Sequence, residues 1–168
     1  QQDRSDADSG GRIFLFDVDG YSDGGLGFSD AYPGSKTSVS SLGGAVIQGV
    51  DNRDLVHASI QIIENPAAAL AVSAGEYGPE REGALAVFGA DTLSLSPTLL
   101  FSKEAADFFV WGVDDSGGAG GRFGHALLNA GDLDGDLSAS DDLVVGGSLV
   151  NVPGLNNAGE LYIFYGPF

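Results

Sequence analysis

The chain has 168 residues, of which 7 are basic and 24 acidic, for a formal net charge of -17. This length allows one domain with a buried core. The acidic balance argues against nucleic acid or an anionic membrane surface as a partner, because their phosphates must be neutralised by Lys and Arg. Cysteine is absent, which excludes disulfides, thiolate metal sites and Cys nucleophiles. No apolar run approaches the roughly 18 residues of a membrane span.

Glycine accounts for 27 residues, a content typical of short strands joined by tight turns. The first predicted strand, at residues 12–17, stands alone before a loop at 18–36. The Ala-rich stretch 66–70 is the only one that hints at a helix. The other predicted strands follow in chain order at 37–41, 42–47, 70–75, 83–88, 107–112, 123–128, 143–147 and 159–164.

Three of these strand patterns occur twice in the same order. Strands 83–88 and 159–164 both begin with Gly and end in Phe. Strand 70–75 resembles strand 143–147 in sequence, since both begin with Leu and end in Gly. Strand 42–47 resembles in sequence the strand that begins with Phe123. The sequence therefore predicts an all-β fold with two antiparallel four-stranded units and one extra N-terminal strand. Within a single unit, 1–168, the divisions are an N-terminal strand and loop (1–36), a first repeat (37–91) and a second repeat (105–168).

Alternating carboxylates follow the strand at 126–129. Asp132, Asp134 and Asp136 lie in a short loop, where Gly135 permits a sharp turn that brings them together. Carboxylates this close repel one another. A hard cation relieves the repulsion, and Ca²⁺ accepts six to eight oxygen ligands. The spacing therefore predicts a calcium site.

Residues further along the loop complete the predicted coordination. Ser138 offers a backbone carbonyl, and Asp142 or Asp141 closes the shell. An EF-hand would need a Glu at loop position 12 and a helix on each side. That position is Leu143, which begins an apolar strand. The interpretation is therefore a calcium loop between two β-strands.

Residues 121–166 resemble an FG-GAP repeat, which forms blades of the β-propeller in integrin α-subunits and many secreted bacterial proteins. The motifs are Phe123-Gly124, the loop that begins at Asp132, the segment 142–147 and the segment 159–166. The resemblance is weaker across 42–90. It implies antiparallel four-stranded blades of FG-GAP/β-propeller type, about two in number, plus the extra strand.

The resemblance also implies a ligand set. Two extra residues in the loop leave the last ligand open between Asp142, Asp141 and Ser140. The implied ligands of Ca²⁺ are Asp132, Asp134, Asp136, the carbonyl of Ser138, and Asp142.

Two other segments carry acidic residues in loop-like patterns. The first repeat has residues 49–54 at the position of the calcium loop, but Arg53 stands where a cation would bind, so no calcium is expected there. Asp17, Asp19 and Asp23 form a candidate for a second ion site.

These features together predict a secreted, calcium-binding structural or adhesive module without catalytic activity. The chain starts with Gln1 and contains no Met, which predicts removal of an upstream secretory segment. Two blades leave unpaired strand edges, which favour self-association into an oligomer or filament. The expected partners are other copies, a larger parent protein, or a cell-surface protein or glycan.

Two other functions compete with this one. The alternative is a carbohydrate-binding, lectin-like propeller module that uses Trp111 or Tyr21, although Trp111 is interpreted as a core residue. His57 and His125 are the only histidines, and His125 is interpreted as a packed or capped side chain. A hydrolase is less favoured, because it would need an acid of raised pKa beside a base.

Overall fold

A computed structural model of the chain describes residues 11–15, 45–50, 54–55, 57–65, 67–95, 98–112, 121–136 and 140–168. These residues are mostly β, as predicted, and no helix among them is long and apolar enough to cross a membrane. The predicted strand 37–41, the whole loop 18–36 and Ser138 lie outside the described residues. The elements are β1 Arg12–Leu15, β2 Ala45–Gln48, β3 Ala58–Asn65, β4 Ala67–Ala74, β5 Ala84–Gly89, α1 Ala90–Leu95, β6 Thr98–Leu100, β7 Phe108–Trp111, β8 Phe123–Gly131, β9 Asp142–Gly147 and β10 Glu160–Phe164.

The central sheet is antiparallel, with the strand order β3-β4-β5-β7. Its strand β4 contains the Ala-rich stretch for which the sequence predicted a helix, and that prediction is wrong. β4 is hydrogen-bonded to β3 on one side and to β5 on the other, and residues 69–74 are buried. Pairing and burial on both faces outweigh the helix propensity of alanine, which is only a weak preference. Its small side chains allow the neighbouring layers to approach closely.

Two three-stranded sheets cover the two faces of the central sheet. The first sheet has the order β1-β2-β6, with β1 antiparallel and β6 parallel to β2. The third sheet has the order β10-β9-β8 and is antiparallel. Consecutive residues of β4 point alternately into the two cores, as the period of a strand requires. The described residues therefore form three stacked layers with two hydrophobic cores.

Each core is formed by facing residues of two adjacent sheets. Between the first and central sheets lie Ile47, Leu99, Phe101, Leu70, Val72 and Phe88. Between the central and third sheets lie Ala71, Leu85, Val87, Leu127, Leu143 and Val145.

The predicted repeat is present, but its strands are distributed differently from the prediction. The strand at 107–112 was predicted in the second repeat, whereas β7 pairs with β5 in the central sheet. The strand at 42–47 was predicted beside 70–75, whereas β2 pairs with β1 and β6. β3, which was not predicted, takes its place beside β4. The all-β fold class is confirmed, with every strand pair antiparallel except β2 and β6, and the described residues form no closed ring.

Candidate metal centre

The acidic loop connects β8 to β9, which are antiparallel neighbours in the third sheet. A register shift between Asn129 and Gly131 ends the regular pairing just before the loop begins. Gly131 and Gly135 have positive φ angles of 67° and 69°. A Cβ at Gly135 would meet nothing within 4 Å, so the glycine serves the backbone conformation and not a close approach.

Three of the predicted ligands converge in the structure. Asp132, Asp134 and Asp142 each place a carboxylate oxygen within 4.8 Å of the others. Asp132 and Asp134 are exposed on the loop, whereas Asp142 is buried at the start of β9. Asp136 is also exposed, but its carboxylate is not one of the three that converge. Its backbone N–H donates to Oδ1 of Asp134 at 3.0 Å.

Backbone hydrogen bonds hold the three carboxylates in place. The N–H of Gly135 donates to Oδ1 of Asp132 at 2.7 Å. Oδ2 of Asp142 accepts from the N–H of Leu133 at 2.7 Å, and Oδ1 accepts from the N–H of Gly166 at 3.0 Å. Asp142 thus links the loop to the segment that follows β10.

The alternative ligand Asp141 is directed away from this cluster, toward the central sheet. Its Oδ2 accepts from the N–H of Glu64 at 2.9 Å and from Nδ2 of Asn129 at 2.7 Å. Its own N–H donates to the carbonyl of Glu64 at 2.8 Å. Of the two adjacent aspartates, Asp142 therefore joins the carboxylate cluster and Asp141 joins two sheets. The carbonyl proposed for Ser138 lies outside the described residues.

The electrostatics of the loop favour a cation. The N–H of Asp136 lowers the pKa of Asp134, but desolvation and the carboxylates of Asp136, Asp142 and Asp132 raise it, and the net pKa is above its usual value. No Lys or Arg occurs from Phe123 to the end of the sequence. The charge of the loop is therefore not balanced by a neighbouring basic residue in the same segment. An all-oxygen, anionic donor set fits a hard divalent cation.

The other predicted acidic segments differ from this one. Asp54 is buried, and its Oδ2 accepts from the N–H of Val50 at 2.7 Å, which closes the turn after β2. Arg53 lies outside the described residues, as do Asp17, Asp19 and Asp23.

Trp111, interpreted as a core residue from the sequence, is 62% exposed. It lies at the end of the edge strand β7, with its ring centroid 5.9 Å from that of Tyr77 and 6.3 Å from that of Phe109. Consecutive side chains of the run Phe-Phe-Val-Trp point alternately to the two faces of the strand, and this periodicity does not indicate which end of the strand is covered. His57 and His125 are exposed side by side, with ring centroids 5.8 Å apart. The interpretation of His125 as a packed residue is therefore wrong.

A scan of the chain against protein-family models finds no match, and a search of curated proteins also finds none. The likeness to the FG-GAP repeat therefore depends on the motifs and strand order of this chain alone.

Proposed function

We propose that this protein is a secreted, calcium-binding structural or adhesive module with FG-GAP-like β-propeller blades. The observation that carries the proposal is the convergence of Asp132, Asp134 and Asp142 at the turn between β8 and β9. Two of these residues come from the loop and one from the following strand, so a shared ion would fix the loop to the sheet. The proposed ligand set is completed by Asp136 and the carbonyl of Ser138.

Calcium is the proposed ion because of the donor chemistry and the exposure of the site. All the donors are oxygens, which suit hard cations, and two of the three carboxylates are exposed on a turn. Mg²⁺ demands near-ideal octahedral geometry, whereas Ca²⁺ tolerates irregular shells. Extracellular calcium modules bind at about 10⁻⁴–10⁻³ M. In a secreted protein such a site would be a permanent structural element.

The proposed role of the ion is to strengthen the contact between the third and central sheets. Asp142 would hold the ion, and the adjacent Asp141 already bonds to both backbone groups of Glu64 at the end of β3. Fixing the loop would restrict both aspartates at once. Since an ion that binds only the folded state stabilises it by mass action, calcium should raise the free energy of unfolding.

Thermal unfolding with calcium and with excess EDTA tests this proposal. We expect a lower melting temperature in EDTA, and no effect of calcium on Asp134→Ala. Glu104→Gln is the matched control, because Glu104 is an exposed acid outside the loop. It removes one negative charge and should leave the calcium response intact. An unchanged melting temperature in EDTA would show that the loop holds no stabilising ion.

The proposal includes self-association through strand edges. Among the strands that the structure describes, β10 is the outermost of the third sheet and has β9 as its neighbour on one side only. An edge of this kind can pair with a strand of another copy or of a larger parent protein.

Carbohydrate binding is the second candidate function, and the exposure of Trp111 favours it. An exposed indole beside Tyr77 and Phe109 provides an apolar platform of the kind that stacks against a sugar ring. Binding on a glycan array that is lost in Trp111→Ala, but kept in Leu155→Ala, would support this function. Leu155 is the matched control because it is also 62% exposed. A blank array would exclude it for the glycans present.

A further inference from the structure

The only two histidines of the chain, His57 and His125, meet at the surface although they are far apart in sequence. Their ring centroids lie 5.8 Å apart, the ring planes are tilted by 52°, and both side chains are exposed. Even a buried residue touches only about 6–12 others, so chance would bring two given residues of this chain together in fewer than about one arrangement in ten. Chance alone is therefore a poor explanation of the contact.

A turn just before β3 presents His57. The N–H of Ala58 donates to the carbonyl of Leu55 at 3.3 Å, and His57, which lies within this turn, has a φ angle of 58°. A side chain in this left-handed conformation is strained. Because the ring of His57 is exposed, burial does not compensate for the strain. Residues held in this way are common where a side chain has a function.

A bulge at the start of β8 presents His125. The register of β8 with β9 shifts between Phe123 and Ala126, and the N–H of His125 donates to the carbonyl of Arg122 at 3.1 Å. Such bulges redirect a side chain. The backbone at this point is closely packed, since a Cβ at Gly75 would lie 3.0 Å from the Cα of His125. The position of His125 is therefore fixed by the end of the central sheet as well as by its own strand.

The histidine pair lies at one end of the seam between β3 and β8. These are edge strands of the central and third sheets among the described strands, and they lie side by side. Within the seam, Nδ2 of Asn129 donates to the carbonyl of Ile62 at 3.0 Å. At the far end, the N–H of Asp141 donates to the carbonyl of Glu64 at 2.8 Å. A bond between the two histidines would therefore fasten the end of the seam that is opposite to Asp141.

We propose that His57 and His125 bind one divalent transition-metal ion, Zn²⁺ or Cu²⁺, which clamps the central sheet to the third sheet. This site is separate from the acidic loop. His125 lies 131 − 125 = 6 residues before Gly131, at which β8 ends and the loop begins. At about 3.3 Å per residue, the two sites are about 20 Å apart along the strand.

The spacing of the rings is compatible with a shared ion. Imidazole nitrogens bind zinc at about 2.0–2.1 Å, which puts the ring centroids of two ligands on one tetrahedral ion about 5 Å apart. The observed separation of 5.8 Å is slightly longer. Small rotations of two exposed side chains close this difference, because exposed rotamers exchange rapidly.

The donor chemistry selects the class of metal. Imidazole nitrogen suits zinc, copper and nickel, whereas calcium and magnesium prefer oxygen. Among the divalent ions, Cu²⁺ binds such a site more tightly than Zn²⁺. Two protein ligands leave coordination positions for water, so the site differs from the closed four-ligand sites of structural zinc. The net charge of -17 on the chain raises the local concentration of any cation.

Calorimetric titration of the 168-residue chain with Zn²⁺, in excess calcium, tests the proposal. The calcium competes with zinc for the acidic loop. We expect one zinc ion per chain, and loss of this binding in His57→Asn and in His125→Gln. Asparagine is used at residue 57 because it tolerates a positive φ angle. Asp134→Ala is the control, since it removes a carboxylate of the acidic loop and should keep the zinc site.

Two further measurements identify the ligands and the effect of the ion. Electron paramagnetic resonance of the Cu²⁺-loaded chain should show coupling to two imidazole nitrogens, and to one fewer in each histidine variant. Zinc should raise the melting temperature of the wild-type chain but not that of His57→Asn, because an ion that binds only the folded state stabilises it. Circular dichroism verifies that the variants fold. If His125→Gln does not fold, His57→Asn decides the outcome, since His57 is exposed in a turn.

Three results would overturn the proposal. The first is a wild-type chain that binds no zinc. The second is zinc binding that is unchanged in His57→Asn or lost in Asp134→Ala, which would place the ion in the acidic loop or elsewhere. The third is a copper spectrum without coupling to two imidazole nitrogens. A calcium response without zinc binding would reject this site and leave the calcium site of the acidic loop standing.

Discussion

The central and third sheets each contain one copy of the repeated strand pair, β4–β5 in the central sheet and β9–β10 in the third. The two copies differ in the connection from the preceding strand, which is β3 in one sheet and β8 in the other. In the central sheet β3 ends at Asn65 and β4 begins at Ala67, so that one residue separates them. In the third sheet β8 ends at Gly131 and β9 begins at Asp142. The longer connection carries the carboxylate cluster. The comparison teaches that the repeated strand pair forms both with and without an acidic loop before it, and that of these two sheets the third carries the loop and its negative charge.

The largest effect is expected at Asp142, whose equivalent in the repeated strand β4 is Ala69, which has no carboxylate. Asp142→Ala removes a buried acceptor and leaves the N–H groups of Leu133 and Gly166 without it. Since hydrogen bonds to a charged group contribute roughly 1.5–3 kcal/mol each, we expect a loss of about 2–4 kcal/mol in the free energy of unfolding. Urea denaturation in EDTA measures it. A loss below about 0.5 kcal/mol would contradict a structural role for this carboxylate.

A smaller effect is expected at Asp141, which lies in the long connection between β8 and β9. It bonds to Glu64, next to the short connection between β3 and β4. Asp141→Ala should cost about 1–3 kcal/mol, because Oδ2 accepts from Glu64 and Asn129 at the edge between the sheets. The distinguishing result is that the calcium response should persist, since Asp141 points away from the cluster. Loss of calcium binding in this variant, by calorimetric titration, would instead make Asp141 the last ligand.

Gly135 tests the backbone of the loop. Gly135→Ala should cost about 1 kcal/mol, because φ is 69° and an L residue is strained there. Gly154→Ala is the control, with φ of 86° and equally open surroundings but outside the acidic loop. We expect equal losses in EDTA and a weakened calcium response in Gly135→Ala alone. Equal calcium responses would show that the turn does not shape the site.

The smallest effect on stability, and one of opposite sign, is expected at Asp134. Its pKa is raised in the folded protein, so in EDTA the folded state binds more protons than the unfolded state above the ordinary pKa. The calcium-free protein should therefore lose stability as the pH rises through that raised pKa. Asp134→Asn should remove this dependence and slightly stabilise the calcium-free protein while abolishing the calcium response. Melting curves between about pH 3.5 and 7, a range that extends upward from ordinary carboxyl pKa values, measure both. Stability that rises with pH in the same window, and does so through Asp134, would contradict the repulsion between these carboxylates.

Local patterns predicted much of this fold. The continuous apolar runs of β4, β5, β9 and β10 identified four strands and their repeat. Burial was predicted correctly for β4 and β5, but β10 has no buried residue. β3 was missed although its first five residues, Ala-Ser-Ile-Gln-Ile, alternate between apolar and polar, a pattern typical of a half-buried strand. The partners of β2 and β7 were also wrong, since pairing between distant segments depends on the whole packing and not on either strand.

The same distinction between local sequence patterns and long-range packing applies to the candidate site. The proximity of Asp132 and Asp134 follows from a short turn with a glycine, which is local. The choice between Asp142 and Asp141 depends on the register of β9, where Asp142 pairs with Gly131, and on the position of β3. Neither is encoded near the loop. The exposure of Trp111 likewise depends on its place on an edge strand.

The hydrogen bond from Gly166 to Asp142 has a mechanical consequence. The segment after β10 is attached at this point to the base of the acidic loop, so a pull on that segment reaches the loop before it can peel β10 from β9. Asp141 passes the load on to β3. In an adhesive module, chelation should therefore lower the force at which the third sheet gives way, even under conditions where the resting structure changes little.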